Sequence, residues 1–378
     1  MGNRDEARQT ILEIIERRSF IDSRFESISR IDAEGGGGAF SVLVTAHDRI
    51  LGIRVALKFF DPRQRLSGNQ YRWSSFQREA ALLSRFVGQQ DILQSIAPVS
   101  EFTETFVSGG LSWPVPFAYH ATELASGDVG HAIAMRVWSA KERLEQFRVM
   151  CRAVQRIHKH GVVHRDLKPG NFLVMADGTL RLSDFGTARC LTDKSEPIEQ
   201  TYAVPPGDLR YAAPEMIACL HDVDPRFAFK ADVYALGAVL FEMFCGSQLN
   251  LYIFDSATLA DLNRTMNAVS REDRLRIYHQ FIAEMADSHP LPSLRVLGSD
   301  APSCILPLLN TLYMNMSAID YRRRLGEFDH VFLQINRCLL ILKHEIRYQE
   351  WRKKRAAVRQ AAEKRRRMPD SSGRRYLC

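Results

Sequence analysis

The sequence has no closely spaced pair of cysteines. Its seven cysteines are scattered over 378 residues without a C-x-x-C motif, and their number is odd. Disulfide frameworks and structural zinc sites both need sets of paired cysteines, so this pattern argues against either. A reducing cytosol is the simplest compartment for such a chain, and we expect a cytoplasmic protein.

Long apolar runs are also missing. The longest apolar stretches, near residues 235–245 and 331–342, are too short to cross a bilayer. The first residues contain no apolar signal core, and Glu6 stands where a myristoylation signal needs Ser or Thr. The position of Cys378 does not match a prenylation box. The sequence therefore predicts no transmembrane segment.

The body of the chain has almost no net charge. Residues 343–378 contain thirteen Lys and Arg against four Asp and Glu, an excess larger than the net charge of +7 of the whole sequence. We interpret this segment as a solvated helix extension with a disordered end. Docking to an acidic partner, nucleic acid or a membrane surface is the alternative. Because aromatic residues are not interleaved with the basic ones, nucleic-acid binding is not supported.

The chemistry of the chain is concentrated in the stretch His164–Asn171, which reads HRDLKPGN. Its Asp166 suits a hydroxyl nucleophile, Lys168 suits phosphate charge and the Asn171 amide suits a metal ion, which together fit phosphoryl transfer. The string resembles the catalytic loop of the eukaryotic-type (Hanks-type) serine/threonine protein kinase family. The resemblance implies that Asp166 is the catalytic base and that Lys168 assists it. It also implies that Arg165 senses a phosphate on a later segment.

The N-terminal half has the pattern of a small sheet. A short helix over residues 4–18 precedes strand-like runs at 25–32, 40–47, 53–60, 99–107 and 115–124, which predict about five strands. The glycine cluster between the first two runs resembles the kinase glycine-rich loop, with Gly36 and Gly38 as its first two glycines and Ser41 in the third position. Lys58, in the string VALK, resembles the lysine that binds the α- and β-phosphates.

A helix is predicted over Arg72–Val87 from its apolar spacing. In the family a helical Glu holds the strand Lys, and Glu79 is the candidate, with a solvated Glu as the alternative. The next runs lead to a segment that resembles the hinge between two lobes. The resemblance implies that Glu123 and Ala125 offer backbone groups to adenine and that Asp128 reaches the ribose.

Downstream, Asp177-Gly178 predicts a hairpin that returns Asp184 to the side of Asn171. The two side chains would supply hard oxygen ligands for Mg²⁺. The string DFG that begins at Asp184 resembles the kinase metal motif, and Ala213-Pro214-Glu215 resembles the end of an activation segment. Between them, Thr192, Ser195 and Thr201 are candidate phosphorylation sites.

One position departs from the family. Gly207-Asp208 stands where serine/threonine kinases usually have Gly-Thr, so a carboxylate is expected near Asp166, where it would repel the base or compete for Lys168. Farther on, Asp232 resembles the family's anchor for the catalytic loop. The partner of Glu215 is expected to be one of three consecutive arginines at 322–324.

These patterns predict an α+β, bilobal protein kinase fold. The expected division is an N-terminal helical extension at 1–24, a kinase domain at 25–335 and a helix end with a basic tail at 336–378. Its lobes would span 25–122 and 129–335, with a hinge at 123–128. The expected reaction is transfer of the γ-phosphoryl of Mg²⁺-bound ATP to a protein serine or threonine, including autophosphorylation.

Two other functions remain open at this stage. A small-molecule kinase of related fold would lack the peptide-binding segment that ends at Ala213-Pro214-Glu215. A pseudokinase scaffold that binds ATP would have lost one of four functional residues, and this chain retains Lys58, Asp166, Asn171 and Asp184.

Overall fold

A computed structural model of the protein describes residues 2–31, 41–66, 70–108, 111–192, 207–220, 226–288, 290–295 and 297–367. Within these residues the chain forms a β-rich small lobe followed by a mainly helical large lobe. The strands are β1 (Phe20–Ile21), β2 (Phe25–Arg30), β3 (Ser41–Asp48), β4 (Ile53–Phe60), β5 (Ser95–Ser108), β6 (Leu111–Glu123), β7 (Gly127–Asp128), β8 (Val162–Val163), β9 (Phe172–Val174), β10 (Leu180–Leu182) and β11 (Arg189–Cys190).

The helices are α1 (Gly2–Glu16), α2 (Pro62–Leu66), α3 (Gln70–Arg85), α4 (Val129–Ala134), α5 (Ala140–Lys159), α6 (Pro214–Ile217), α7 (Arg226–Cys245), α8 (Asn250–Ile253), α9 (Ser256–Ala268), α10 (Arg271–Ser288), α11 (Leu306–Met316) and α12 (Phe328–Arg367). The α+β fold expected from the sequence is confirmed.

The small lobe is built on an antiparallel sheet with strand order β1-β2-β3-β4-β6-β5 among the described residues. The five expected strands are present, and β1 adds a sixth that is too short for a periodic pattern to reveal. Alternating apolar side chains of β3, β4 and β6 form one buried cluster, and the residues between them are also largely buried, so the centre of the sheet is covered on both faces. Ile11 and Ile15 of α1 are buried in the same cluster, so α1 packs on this sheet.

Helix α3 connects the sheet to the large lobe. Its buried face includes Phe76, Glu79 and Leu83, which recur at helical spacing. Lys58 and His120 are partners in the β4–β6 register and therefore lie on the sheet beside this helix. A functional side chain on β4 is thus brought against one on α3.

The large lobe is organised around α5 and α7. Ser139 and Glu142 form a capping box at the start of α5, whose apolar side is fully buried. Helix α7 is buried on all sides from Ala231 to Phe244 and most of its residues there are apolar. Helix α5 ends at Lys159, and Gly161 follows with φ +70°, a conformation that glycine adopts without strain. This turn directs the chain into β8 and the HRD stretch.

The last helix, α12, is buried along its first part and exposed along its second. Val331, Ile335 and Cys338 of α12 are buried, whereas Trp351 and Val358 are exposed. The helix continues to Arg367, so the expected helical extension is present. In the part of the chain that the structure describes, no helix is both long and apolar enough to cross a membrane.

Candidate active site

The catalytic loop lies between β8 and β9, and Asp166 is at its centre. Lys168 Nζ donates to Asp166 Oδ2 at 2.9 Å, and the backbone N–H of Asp208 donates to Oδ1 at 2.8 Å. Asn171 Nδ2 donates to the Asp166 carbonyl at 2.7 Å, and this bond joins the two ends of the segment from Asp166 to Asn171. Burial raises the pKa of Asp166 from its ordinary value, although Lys168 opposes that shift.

A buried carboxylate holds the backbone of this loop. Asp232 of α7 accepts hydrogen bonds from the backbone N–H of His164 at 2.8 Å and of Arg165 at 2.9 Å. It also pairs with His158 Nε2 at 2.8 Å. Burial alone would raise the pKa of Asp232, but these hydrogen bonds to the charged form lower it. Arg165 is held at φ +68°, so the anchor maintains a backbone conformation that arginine rarely adopts.

Lys58 and Glu79 form a buried ion pair between β4 and α3. The Nζ atom lies 2.8 Å from Glu79 Oε1 and 2.6 Å from Oε2, and Asp184 Oδ1 is 3.5 Å from the same nitrogen. Burial would lower the pKa of Lys58, but the charges of Glu79 and Asp184 outweigh it and raise the pKa. The lysine is therefore a fixed positive charge at neutral pH.

The expected metal ligands lie on either side of the β9–β10 hairpin. Ser183 N donates to the Asn171 carbonyl at 2.9 Å. This bond places the next residue, Asp184, close to Asn171. The positive charge of Lys58 lowers the pKa of Asp184, whose side chain is 41% exposed. Among the described residues, no group of three His, Cys, Asp or Glu could hold a metal.

This donor set fits a divalent cation that takes part of its coordination from phosphate. Because the Asn171 Nδ2 amide donates to Asp166, the carbonyl oxygen of the Asn171 side chain is the atom that would face a metal ion. One carboxylate and one amide oxygen are hard ligands, and Mg²⁺ commonly combines one or two such ligands with phosphates and water.

The hinge candidates are placed between the lobes. The Glu123 side chain accepts from Gln94 N and Arg181 Nε, both at 3.0 Å, so it is used within the protein. Asp128 Oδ1 accepts from His131 N at 2.9 Å and caps α4. Ala125 lies in the connection between β6 and β7. The nucleotide roles of these three residues remain predictions.

Several other candidates can be located only in part. Ser41 begins β3 and is buried, whereas Gly36, Gly38, Ser195 and Thr201 lie outside the described residues. Thr192 is exposed, and its hydroxyl is 3.2 Å from the Cys190 thiol. Arg165 is buried and donates from Nε to the Thr187 carbonyl at 2.6 Å.

Asp208 is paired with an arginine that the sequence reasoning missed. Arg210 donates to the Asp208 carboxylate through Nη2 at 2.5 Å and through Nε at 2.9 Å. Burial would raise the pKa of Asp208, but Arg210 lowers it. The spacing of two residues between Asp208 and Arg210 in the sequence could have indicated this ion pair. The carboxylate expected to disturb Asp166 is thus directed to Arg210, while Lys168 remains bonded to Asp166.

Glu215 has the fully buried Arg324 as its partner. Arg324 Nη1 and Nη2 both bond the carboxylate, the latter at 3.1 Å, and neither side chain is exposed. Arg322, two residues earlier, instead pairs with Asp320 at the surface. Ser75 and Arg78 were also missed. Ser75 lies three residues before Arg78 and four before Glu79, spacings that bring its side chain near both on one side of α3, which was the available signal.

The chain is similar in sequence to known protein kinases. A sequence model of the protein kinase domain matches residues 30–289. The chain is similar to serine/threonine-protein kinase PknA of Mycobacterium tuberculosis, with 32% identity over 229 residues, or 58% of this chain and 47% of the relative. It is also similar to PknB of Mycolicibacterium smegmatis, with 41% identity over 96 residues, or 25% of this chain and 14% of the relative. The chain therefore spans about half the length of PknA and a smaller part of PknB.

Proposed function

This chain belongs to the protein kinase domain family, and we propose that it is a serine/threonine protein kinase that transfers the γ-phosphoryl of ATP to a protein hydroxyl. Membership of the family implies use of ATP with a divalent metal. The observation that carries the proposal is the arrangement of Asp166, Lys168 and Asn171 on one anchored loop, opposite a formed Lys58–Glu79 pair. The catalytic domain would span residues 25–335, with a hinge at 123–128.

In the proposed reaction Asp166 orients the acceptor hydroxyl and takes its proton. A bond forms between the hydroxyl oxygen and the γ-phosphorus, the bond from that phosphorus to the β,γ-bridging oxygen breaks, and ADP leaves. Lys168 and Lys58 stabilise the negative charge on the phosphates. Because the transition state is loose, positioning and electrostatics supply most of the acceleration.

We propose Mg²⁺ as the metal, held by Asn171 and Asp184. When bound, the cation offsets the charge of the β- and γ-phosphates. The glycines Gly36 and Gly38, with Ser41, would cover the phosphates, while Glu123 and Ala125 would bind adenine through backbone groups. The second carboxylate oxygen of Asp128 is the atom that would face the ribose, because its Oδ1 caps α4.

Serine or threonine is the proposed acceptor. Lys168-Pro169 resembles the serine/threonine form of the loop, and the relatives that match over parts of their length are named serine/threonine kinases. The string Ala213-Pro214-Glu215, which resembles the end of a protein kinase activation segment, is anchored through the pair of Glu215 with Arg324. Its presence favours a protein acceptor over a small molecule. No contact among the described residues favours a scaffold without activity.

Control by phosphorylation is proposed for the segment that precedes Gly207. Arg165 supplies a guanidinium beside Asp166, and a phosphate on Thr192, Ser195 or Thr201 could bind it in a bidentate manner. Mass spectrometry of active protein tests this directly. We expect phosphate on at least one of the three, and active protein without phosphate on any of them contradicts the proposal.

The basic end of α12 is proposed to bind an acidic partner. Lys353, Arg355 and Arg359 are exposed, and basic residues outnumber acidic ones along this segment. Deleting residues 352–378 should reduce binding of acidic protein partners without changing phosphoryl transfer. Unchanged partner binding and localisation would contradict this role.

Radiolabelled ATP tests the main proposal. Wild type should transfer label to itself and to a generic protein acceptor, and Asp166→Asn should lower the rate by about 10²–10⁴-fold, the usual contribution of a general base. Equal incorporation by both proteins contradicts the mechanism. Binding of Mg²⁺ and ATP by wild type without any transfer would indicate a scaffold.

A further inference from the structure

We propose that Ser75 and Arg78 of α3 are positioning residues that hold the turn Asp184–Gly186 in its metal-binding form. Both side chains donate to one atom, the carbonyl oxygen of Gly186, from Ser75 Oγ at 2.5 Å and from Arg78 Nη1 at 2.8 Å. Two side-chain donors on a single carbonyl define its direction. The inference rests on the proposed function, because it assigns a role in the same nucleotide and metal site.

The three side chains that reach the site from α3 share one side of the helix. Ser75, Arg78 and Glu79 are spaced by three and four residues, the spacing that brings side chains together. Glu79 binds Lys58, and Lys58 lies 3.5 Å from Asp184 Oδ1. The helix therefore reaches the turn twice, once through Lys58 to the Asp184 carboxylate and once directly at the Gly186 carbonyl.

The turn needs such support because of its backbone. Asp184 has φ +59° and ψ +63°, the left-handed region that residues with a side chain rarely adopt. A strained conformation of this kind persists only when its surroundings hold it. Phe185 contributes by packing on Phe86 and His164. The Gly186 carbonyl, two residues after Asp184, is a further point at which the turn is held.

Helix α3 also approaches the turn closely at Gly186, so that a larger residue there would displace the Ser75 hydroxyl. A Cβ atom on Gly186 would lie 2.8 Å from Ser75 Oγ, a separation that real Cβ contacts do not show. Loss of the two donors should free the turn to leave the left-handed conformation and move the Asp184 carboxylate away from the cation. Nucleotide binding without the cation does not use this carboxylate and should be unaffected.

Calorimetric titration with ADP, with Mg²⁺ and with EDTA in its place, measures the two quantities separately. The variants are Ser75→Ala, Arg78→Ala and the double variant. The ratio of the two dissociation constants is the gain in affinity due to Mg²⁺, and in the double variant we expect it to fall about tenfold. The dissociation constant in EDTA should change less than about twofold. Arg78→Lys, which keeps a donor, should restore part of the gain.

Arg85→Ala is the matched control. Arg85 is another α3 arginine that donates to a large-lobe carbonyl, that of His160 at 3.2 Å, away from the metal turn. This variant should keep the full gain from Mg²⁺. Should the double variant not fold, the Ser75→Ala variant, which removes a single hydroxyl, decides the question by the same ratio.

Several outcomes overturn the inference. An unchanged ratio in the variants does so, and so does an equal loss of affinity with and without Mg²⁺, because that result indicates a merely structural role. Wild type that binds no nucleotide overturns both the inference and the proposed function. Wild type that binds Mg²⁺ and ADP but never transfers phosphate overturns the proposed function alone, and the ratio still decides the role of Ser75 and Arg78.

Discussion

Lys58 and Glu79 are held together by two hydrogen bonds, from one ammonium nitrogen to both oxygens of one carboxylate, at 2.8 Å and 2.6 Å. The two residues come from different elements, β4 and α3, and both side chains are largely buried. Removing the charge of Lys58 would leave the Glu79 carboxylate buried without its partner, which is costly. The pair therefore fixes the position of α3 relative to the sheet.

Glu79→Gln should weaken catalysis without unfolding the protein. Glutamine keeps the size of the side chain but removes its charge, so Lys58 loses a charge-assisted bond worth about 1.5–3 kcal/mol. That energy corresponds to a decrease of about 10- to 150-fold in kcat/KM for ATP, measured by radiolabel transfer.

Glu101→Gln serves as the control for Glu79→Gln. Glu101 pairs with Arg65 on the same lobe, where both side chains are more than a third exposed. Exposed pairs contribute little, so kcat/KM should change less than about twofold. Similar losses in both variants would contradict the role assigned to the Lys58–Glu79 pair.

The charge of Asp232 predicts a pH-dependent stability. Asp232→Asn replaces an acceptor with an amide that cannot accept from His164 N and Arg165 N through both of its atoms, so the free energy of unfolding should fall by about 1.5–3 kcal/mol at pH 7. The folded-state pKa of Asp232 is lowered from 3.8, so its contribution is present above that value and is lost as the pH falls through the folded-state pKa.

Urea unfolding of both proteins at several pH values measures this difference directly. The other acidic groups are shared, so they cancel when the two free energies are compared. The difference between wild type and Asp232→Asn should still be present at pH 5 and should shrink as the pH falls below about 4. A difference that persists unchanged at pH 3 would show that the charge of Asp232 does not stabilise the fold.

The sequence predicted the parts of the site that are fixed by short-range chemistry. Asp166, Lys168 and Asn171 lie on one loop, so their spacing alone placed them together. Glu79 could be assigned because apolar residues marked the helix around it and the resemblance to the kinase family implies a Glu on that helix. The helical course of α12 to Arg367 was also readable, since Ala, Glu, Gln, Lys and Arg all favour helices.

The contacts that depend on tertiary packing could not be predicted. Three consecutive arginines were equal candidates for Glu215, and only the packing of α7 against the turn before α12 selects Arg324. Donation by Ser75 to the Gly186 carbonyl joins residues 111 positions apart, and no local pattern encodes it. The ion pair of Asp208 with Arg210 is local, but its direction away from Asp166 is set by the fold.

Arg324→Ala should destabilise the large lobe strongly. The substitution leaves the Glu215 carboxylate fully buried without its partner, which costs about 3–5 kcal/mol in the free energy of unfolding. Arg322→Ala is a matched control two residues away, because its pair with Asp320 is at the surface and should contribute less than about 1 kcal/mol. Urea unfolding compares the two variants. Equal losses would show that burial of the Arg324 pair is not what stabilises the lobe.

Asp208 offers the sharpest test of how the catalytic loop meets its acceptor. Its backbone N–H binds Asp166 Oδ1, while its carboxylate is held by Arg210. Arg210→Ala should release that charge next to Asp166 and Lys168, where it repels the base and competes for the ammonium. We expect kcat for a protein acceptor to fall about five- to tenfold.

The double variant separates the freed charge from a simple loss of Arg210. Asp208→Asn removes the charge but keeps the backbone N–H, so it should be close to wild type, and Asp208→Asn with Arg210→Ala should recover most of the activity lost in Arg210→Ala. Such recovery would show that the loss of activity in Arg210→Ala comes from the unpaired Asp208 carboxylate, because the effects of the two substitutions would then not be additive. If the double variant is as slow as Arg210→Ala, the arginine itself acts on the acceptor, and the departure from Gly-Thr at this position is a feature of acceptor binding.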